Sequence, residues 1–310
     1  MASPTAAGSA AAVDAPAPDR PTGIERATPW LFILPSMLLL LAVGLYPIGY
    51  TAFISFHDWT LGQSAPSFTG FGNYVEVLTD GAFVDAVGRS LMLLLITLPI
   101  QLAFGLGIAL LLHTHFNKTL RTLLQVALVI PIAITPAVLG LLVQLMFDNE
   151  LGIINHALAG IGIQGVDWLG EATTAYATVC MAQIWQWTPF AALVVSASLA
   201  TVPSEIEEAA LLETDRWWPR FRRVLLPYLW PGITAVLVFQ TAFVLKQFGM
   251  VYAIQKGGPG SATQMAMLEI ERTAFRGFDI GAAGAQSILM LVLSILLAQT
   301  YIKLFYREAS

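Results

Sequence analysis

Charge is scarce in this chain. Of its 310 residues only 11% are Asp, Glu, Lys or Arg, less than half the roughly 25% found in an ordinary water-soluble domain. A compact body of this composition cannot face water on every side. Cysteine is scarcer still: Cys180 is the sole one, which excludes an intramolecular disulfide and a cysteine zinc site. No run of five basic residues occurs, net charge is −5 and pI is about 5.3, so a nucleic-acid binder of the usual kind is excluded. The four histidines show no metal-ligand spacing. His113 and His115 read as loop residues, and no metal site is expected.

Apolar residues make up 56% of the chain, with 17 Phe and 8 Trp, and mean hydropathy is +0.71. That many aromatics exclude a disordered, solvated chain. The composition predicts a membrane protein. A helix crossing the ~30 Å hydrocarbon layer needs about 20 apolar residues. Six stretches free of Asp, Glu, Lys and Arg are long enough: Pro29–Phe56, Ser90–Leu112, Thr122–Phe147, Ala172–Ser204, Val224–Leu245 and Ile280–Ile302. None alternates as a barrel strand would. A seventh uncharged run, Leu151–Val166, is shorter and rich in glycine, and reads as a loop with a short interfacial helix.

Basic residues in short loops set the orientation. With the N-terminus inside, Arg20, Arg26, Lys118, Arg121, Arg216, Arg220, Arg222, Arg223, Lys303 and Arg307 fall on the cytoplasmic side. Only Arg89, Lys256, Arg272 and Arg276 fall outside, Lys246 being left out at a helix end. Both termini are therefore expected in the cytoplasm. Residues 1–27 read as a disordered cytoplasmic Ala/Pro-rich tail, and 28–310 as the transmembrane domain. The tail lacks a basic segment ahead of a short apolar core, so it does not read as a cleavable signal peptide; the first helix is expected to serve as an uncleaved anchor.

One loop stands apart. Residues 202–231 read VPSEIEEAALLETDRWWPRFRRVLLPYLWP, with five acids and four arginines between Glu205 and Arg223. Pro203 and Ser204 supply a helix start, acids follow in the first turn and arginines come later. Ala209, Ala210 and Leu212 make a small flat surface that another protein can approach closely. Trp217, Phe221 and Val224 recur at i, i+4, i+7. Arg216, Arg220 and Arg223 form another such stripe, suited to lipid phosphates or a partner. The plainer reading is an amphipathic helix resting on the membrane.

Glu208-Ala209-Ala210, followed by Trp218, Phe221 and Leu226-Pro227, resembles the EAA loop of binding-protein-dependent ABC importer permeases. With Pro203, Glu205, Ile206 and Leu212 the string is similar to the carbohydrate-uptake branch, the family of the maltose and glycerol-3-phosphate transporter membrane subunits. Tyr46-Pro47, Phe71-Gly72-Asn73-Tyr74, Gly152-Ile153-Ile154-Asn155, Pro189-Phe190, Gly257-Gly258-Pro259 with Thr263, and Gly281-Ala282 extend the likeness over nearly the whole chain. Where the family has Asp-Gly, this chain has Glu213-Thr214. A glycine there permits a left-handed turn that threonine tolerates poorly, so a reshaped turn or a strained Thr214 is expected.

The resemblance implies an all-α integral membrane protein of six transmembrane helices with the ABC type I importer permease fold. It also implies a coupling loop at 202–227 that docks on a cytoplasmic ATP-binding subunit dimer. The ATPase-coupling residues would be Glu208, Ala209, Ala210, Leu212, Thr214, Trp218 and Phe221, with Glu205 in the first turn and Glu207 pointing to water. Other implied partners are a second, homologous permease subunit, an extracellular or periplasmic solute-binding protein, and membrane lipid. The chain has no G-x-x-x-x-G-K-[ST] phosphate loop, so no cofactor and no catalysis are expected of it; ATP-Mg would sit on the partner.

A solute path needs polar groups at membrane depth, where they are otherwise costly. The candidates are Gln144, Gln183, Trp185, Gln186, Trp187, Gln240, Lys246, Gln247 and Tyr252, aromatic faces and amides of the kind that bind sugars. The alternative is that the glutamines tie neighbouring helices, the tryptophans belong to an interfacial belt and Lys246 snorkels. An ion-coupled secondary transporter is the competing function. It would usually place acids inside the spans, and none of the six stretches holds one.

Overall fold

A computed structural model describes residues 23–63, 65–114 and 116–305. The chain divides after Tyr50 into two units. Helix α1 (Gly23–Leu40) runs into a π turn at Leu41–Leu45 and then into α2 (Tyr46–Ser55), whose last residues belong to the second unit. The Tyr46 N–H bonds the Leu41 carbonyl, one residue further back than in an α-helix. Pro47 follows directly. A proline has no N–H to donate and crowds the carbonyl four residues earlier, so the helix widens there instead of breaking. Residues 1–22 of the expected tail lie outside the described residues; residues 23–27 belong to α1.

In the second unit α2 is followed by a two-residue antiparallel pair, β1 (His57–Asp58) on β2 (Ser67–Phe68), which with a single bridge between Thr60 and Asp279 departs from an all-helical reading. Then follow α3 (Gly72–Thr79), α4 (Ala82–Thr114), α5 (Lys118–Ala133), α6 (Pro136–Met146), α7 (Ile153–Gly160), α8 (Ala172–Leu199), α9 (Ser204–Glu213) and α10 (Trp217–Arg220). A second π turn, Phe221–Leu225, leads into α11 (Leu226–Leu245), then α12 (Gly249–Gln255), α13 (Ala266–Phe275) and α14 (Ile280–Phe305). This π turn also sits just ahead of a proline, Pro227, and answers the same steric problem.

Helices α4 and α8 form the spine. At Gly105 they approach so closely that a Cβ would lie 2.6 Å from the Ala191 Cβ. Leu93, Leu98, Val179, Leu237, Val244 and Met250 fill the main core between α4, α8, α11 and α12. A second cluster, Ala109, Val195, Leu199, Phe221, Leu225 and Leu229, closes the end from which the charged loop leaves. The outer faces keep large exposed apolar side chains, as a lipid-facing body requires.

Five helices are long and apolar enough to span a membrane, among the described residues: Phe32–Ser55, Ala82–Thr114, Ala172–Leu199, Trp217–Leu245 and Ile280–Phe305. The expected third span, Thr122–Phe147, is not one straight helix. It is α5 and α6 bent by 88° at Ile134-Thr135. Thr135 precedes Pro136, and both Ile134 (ψ 123°) and Thr135 (ψ 135°) are extended, which is where proline drives its predecessor. Counting charges finds uncharged length but cannot find a corner.

Candidate functional site

The charged loop folds as a short helix, a turn and a second helix. On α9 the residues turned inward are Glu207 and Ala210, spaced i, i+3 on one helical face; Thr214, just past its end, is half-buried. Glu208, Ala209 and Leu212 stand on the outside, Leu212 at 91% exposure. Ala210 is only 5% exposed, and α9 packs on the π turn 221–225. The close approach expected at both alanines is thus open at Ala209 alone. Glu205 lies in the first turn, as expected, and is exposed.

One of the two forms expected for the turn is found here, and the readings of Glu207 and His113 are overturned. Thr214 has φ −155° and ψ 133°, extended backbone that any residue adopts. The turn is reshaped rather than strained, and the Thr214 Oγ1 accepts the Arg216 N–H at 3.2 Å. Glu207 does not point to water: its Oε1 lies 2.8 Å from His113 Nε2. His113 in turn is no loop residue, because α4 continues to Thr114; His115 lies outside the described residues.

Beyond the turn, Phe221 is buried and anchors the loop in the core cluster. Trp217 stacks on it at 5.0 Å between centroids, and Trp218 at 5.7 Å. Both tryptophans keep an exposed face. Arg216, Arg222 and Arg223 are exposed and Arg220 is half-buried.

The membrane-depth candidates separate into two sets. Gln183, Gln186 and Gln240 are 1% exposed and Gln247 is 5% exposed. The Gln247 Nε2 donates to Gln183 Oε1 at 2.7 Å, Gln186 Nε2 to the Ile134 carbonyl at 2.8 Å, and Gln240 Nε2 to the Trp187 carbonyl at 3.1 Å. These amides join elements that are distant in sequence. The second set is accessible. Gln144 and Tyr252 line an open cleft of about 690 Å³ with Gln255, Lys256 and Pro259. Trp185 and Lys246 are exposed, while Trp187 is half-buried and stacks on Phe243 at 4.3 Å.

Among the described residues no group of three His, Cys, Asp or Glu side chains is placed to hold a metal. Cys180 is buried in α8.

Residues 101–309, which contain the loop, helices α8 and α11 and the buried amides, match the family described as binding-protein-dependent transport system inner membrane component. The chain belongs to this family. It is a multi-pass inner-membrane permease of the ABC transporter class and not an enzyme. SmoG, the sulfoquinovosyl glycerol transport system permease protein of Agrobacterium fabrum, is 30% identical over 281 residues, covering 90% of this chain and 91% of that one. MalF, the trehalose/maltose transport system permease protein of Thermococcus litoralis, is 30% identical over 278 residues, 88% and 92% of the two chains. The crystal structure of a bacterial ABC transporter involved in the import of alginate has the same fold, with TM-score 0.80, 20% identity, and 93% and 98% coverage.

Two residues of this permease escaped the sequence reading. Gln101 lies in the middle of an apolar run and is fully buried; its Nε2 donates to the Gln183 carbonyl at 2.9 Å. The argument that singled out Gln183, an amide at membrane depth, applies equally to it. His113 carried no signal of this kind. Histidine is not counted as a charge, and its partner lies 94 residues away.

Proposed function

We propose that this permease forms half of the translocation path of an ATP-driven importer for a sugar or related polyol. The loop at 202–227 couples it to a cytoplasmic ATPase. The observation that carries the coupling reading is the bare outer face of α9: Glu208, Ala209 and a 91%-exposed Leu212 on a base locked into the core by Phe221. A leucine left this exposed on a helix with four glutamates is best explained by a partner that covers it. Glu208 would meet a basic group or backbone amides of that partner, and Trp218 would flank the contact.

An ATPase dimer offers two such clefts and this chain has one loop, so a second permease subunit completes the assembly. The family description names a binding protein, and such a protein would deliver cargo from outside. The carbohydrate reading draws on the names of SmoG and MalF. Gln144 and Tyr252 in the open cleft are the candidates for touching cargo directly; the buried glutamines would shape the path from behind.

Reconstitution into liposomes with a second permease, an ATPase and a binding protein tests this reading. Uptake should require ATP and the loaded binding protein. Uptake driven by an ion gradient without ATP would overturn it in favour of a secondary transporter, and full activity from this chain with the ATPase alone would overturn the two-permease assembly.

A further inference from the structure

Helix α9 is ten residues long, too short to be stable or to hold a direction without tertiary contacts. Its contacts with the body are few. Ala210 is its one buried residue, resting toward the π turn 221–225, and Thr214 marks its end. A further link is polar and reaches a different helix: the His113–Glu207 contact at 2.8 Å joins it to the last turn of α4. The pair lines a small cavity of about 210 Å³ beside Leu211, Trp217 and Arg220. The two side chains are 20% and 32% exposed, so water screens them less than it screens an open surface pair.

The chemistry of the contact fixes its direction. A carboxylate only accepts, so His113 Nε2 carries the hydrogen and donates it. Among the described residues the other ring nitrogen, Nδ1, is buried without a partner, so the ring is held through Nε2 alone. Successive helical residues are about 100° apart, so pinning Glu207 inward sets Glu208 and Leu212 outward.

We propose that His113 and Glu207 form a latch that fixes the roll of α9 against α4, so that force applied to the outer face of α9 moves α4 instead of rotating a loose helix. They are positioning residues for coupling. The inference rests on the reading of α9 as the ATPase-docking helix, and it adds the route by which motion would enter the spine: α4 packs along α8 through Gly105 and Ala191.

The test uses the complete reconstituted complex and two readouts. The first is cargo moved per ATP hydrolysed. His113→Ala and Glu207→Ala should each lower it by about fivefold or more, the scale of an ordinary coupling free energy. The double variant should be no worse than either single one. His113→Gln, whose amide still donates, and the exchange His113→Glu with Glu207→His should recover most of the ratio. The second readout is the spin-label distance between Leu212→Cys and Leu304→Cys on α14, in a Cys180→Ser background without nucleotide. Its distribution should broaden in the two alanine variants and narrow again in the exchange. Unchanged distributions, or losses that add in the double variant, overturn the latch whatever the docking variants do. Loss of coupling in Glu208→Ala with parental behaviour of both His113→Ala and Glu207→Ala overturns the latch and leaves the docking reading intact. Broadened distances with no effect of Glu208→Ala keep the latch as a structural contact and overturn the docking reading.

Discussion

Gln186 on α8 donates its Nε2–H to the Ile134 carbonyl, 2.8 Å away, at the point where the third span turns by 88°. In an unbroken helix that carbonyl would accept from Val138. The corner at Thr135-Pro136 removes this donor, and at membrane depth no water replaces it. The glutamine side chain supplies the missing bond.

Gln186→Leu should therefore destabilise the corner by about 1–3 kcal/mol, the cost of an orphaned buried carbonyl. Thermal unfolding of the detergent-solubilised protein would show a lower midpoint. An unchanged midpoint with altered cargo preference would instead assign Gln186 to the solute path.

Helix α6 lies so close to α12 that a Cβ on Gly140 would meet the Ala253 Cβ at 2.7 Å. Gly140→Val should force the two apart at a cost of about 1–3 kcal/mol. Because Gln144 on α6 and Tyr252 on α12 line one cleft, uptake should fall along with stability. Parental uptake in this variant would show that the cleft plays no part in transport.

If α9 docks on the ATPase as proposed, Glu208→Ala and Ala209→Leu should reduce cargo-stimulated ATP hydrolysis by about tenfold, equivalent to about 1.4 kcal/mol, with folding unchanged because both side chains are exposed. Glu205→Ala should have little effect. Glu207 belongs with the sensitive positions through His113, and equal losses at Glu205 and Glu208 would mean that the loop acts through bulk negative charge.

Asp148 accepts the backbone N–H groups of Leu151 at 2.8 Å and Glu150 at 3.0 Å. These two bonds, Leu151 first, hold its carboxyl below the usual carboxylate range. A folded-state value depressed in this way stabilises the turn above the unfolded value of about 3.9 and ceases to do so as pH falls through the folded value. The carboxyl resonance of Asp148 should titrate below about 3.9, with the Leu151 amide shift following the same midpoint, and Asp148→Asn should abolish that inflection. A midpoint at the ordinary value would refute the effect.

The membrane class was legible in composition, since apolar stretches of spanning length with no charge leave the chain no soluble alternative. The sequence by itself also placed the charged loop, because acids, paired alanines and arginines at helical spacing are local features that neighbouring residues specify. The approximate helix limits follow from the same local chemistry; Ala172 opens α8 as the charge gap predicts. The corner at Ile134-Thr135 has a local cause in Pro136, which charge counting does not register; the inward face of Ala210 and the partners of the buried glutamines were decided by tertiary contacts. Such contacts also decided the meeting of His113 with Glu207. Each of these joins residues tens of positions apart, or depends on which side of a helix another element covers. A hydrogen bond such as Gln186 to Ile134 leaves no trace in either local segment, because the donor's sequence is that of any polar residue on a helix and the acceptor is backbone.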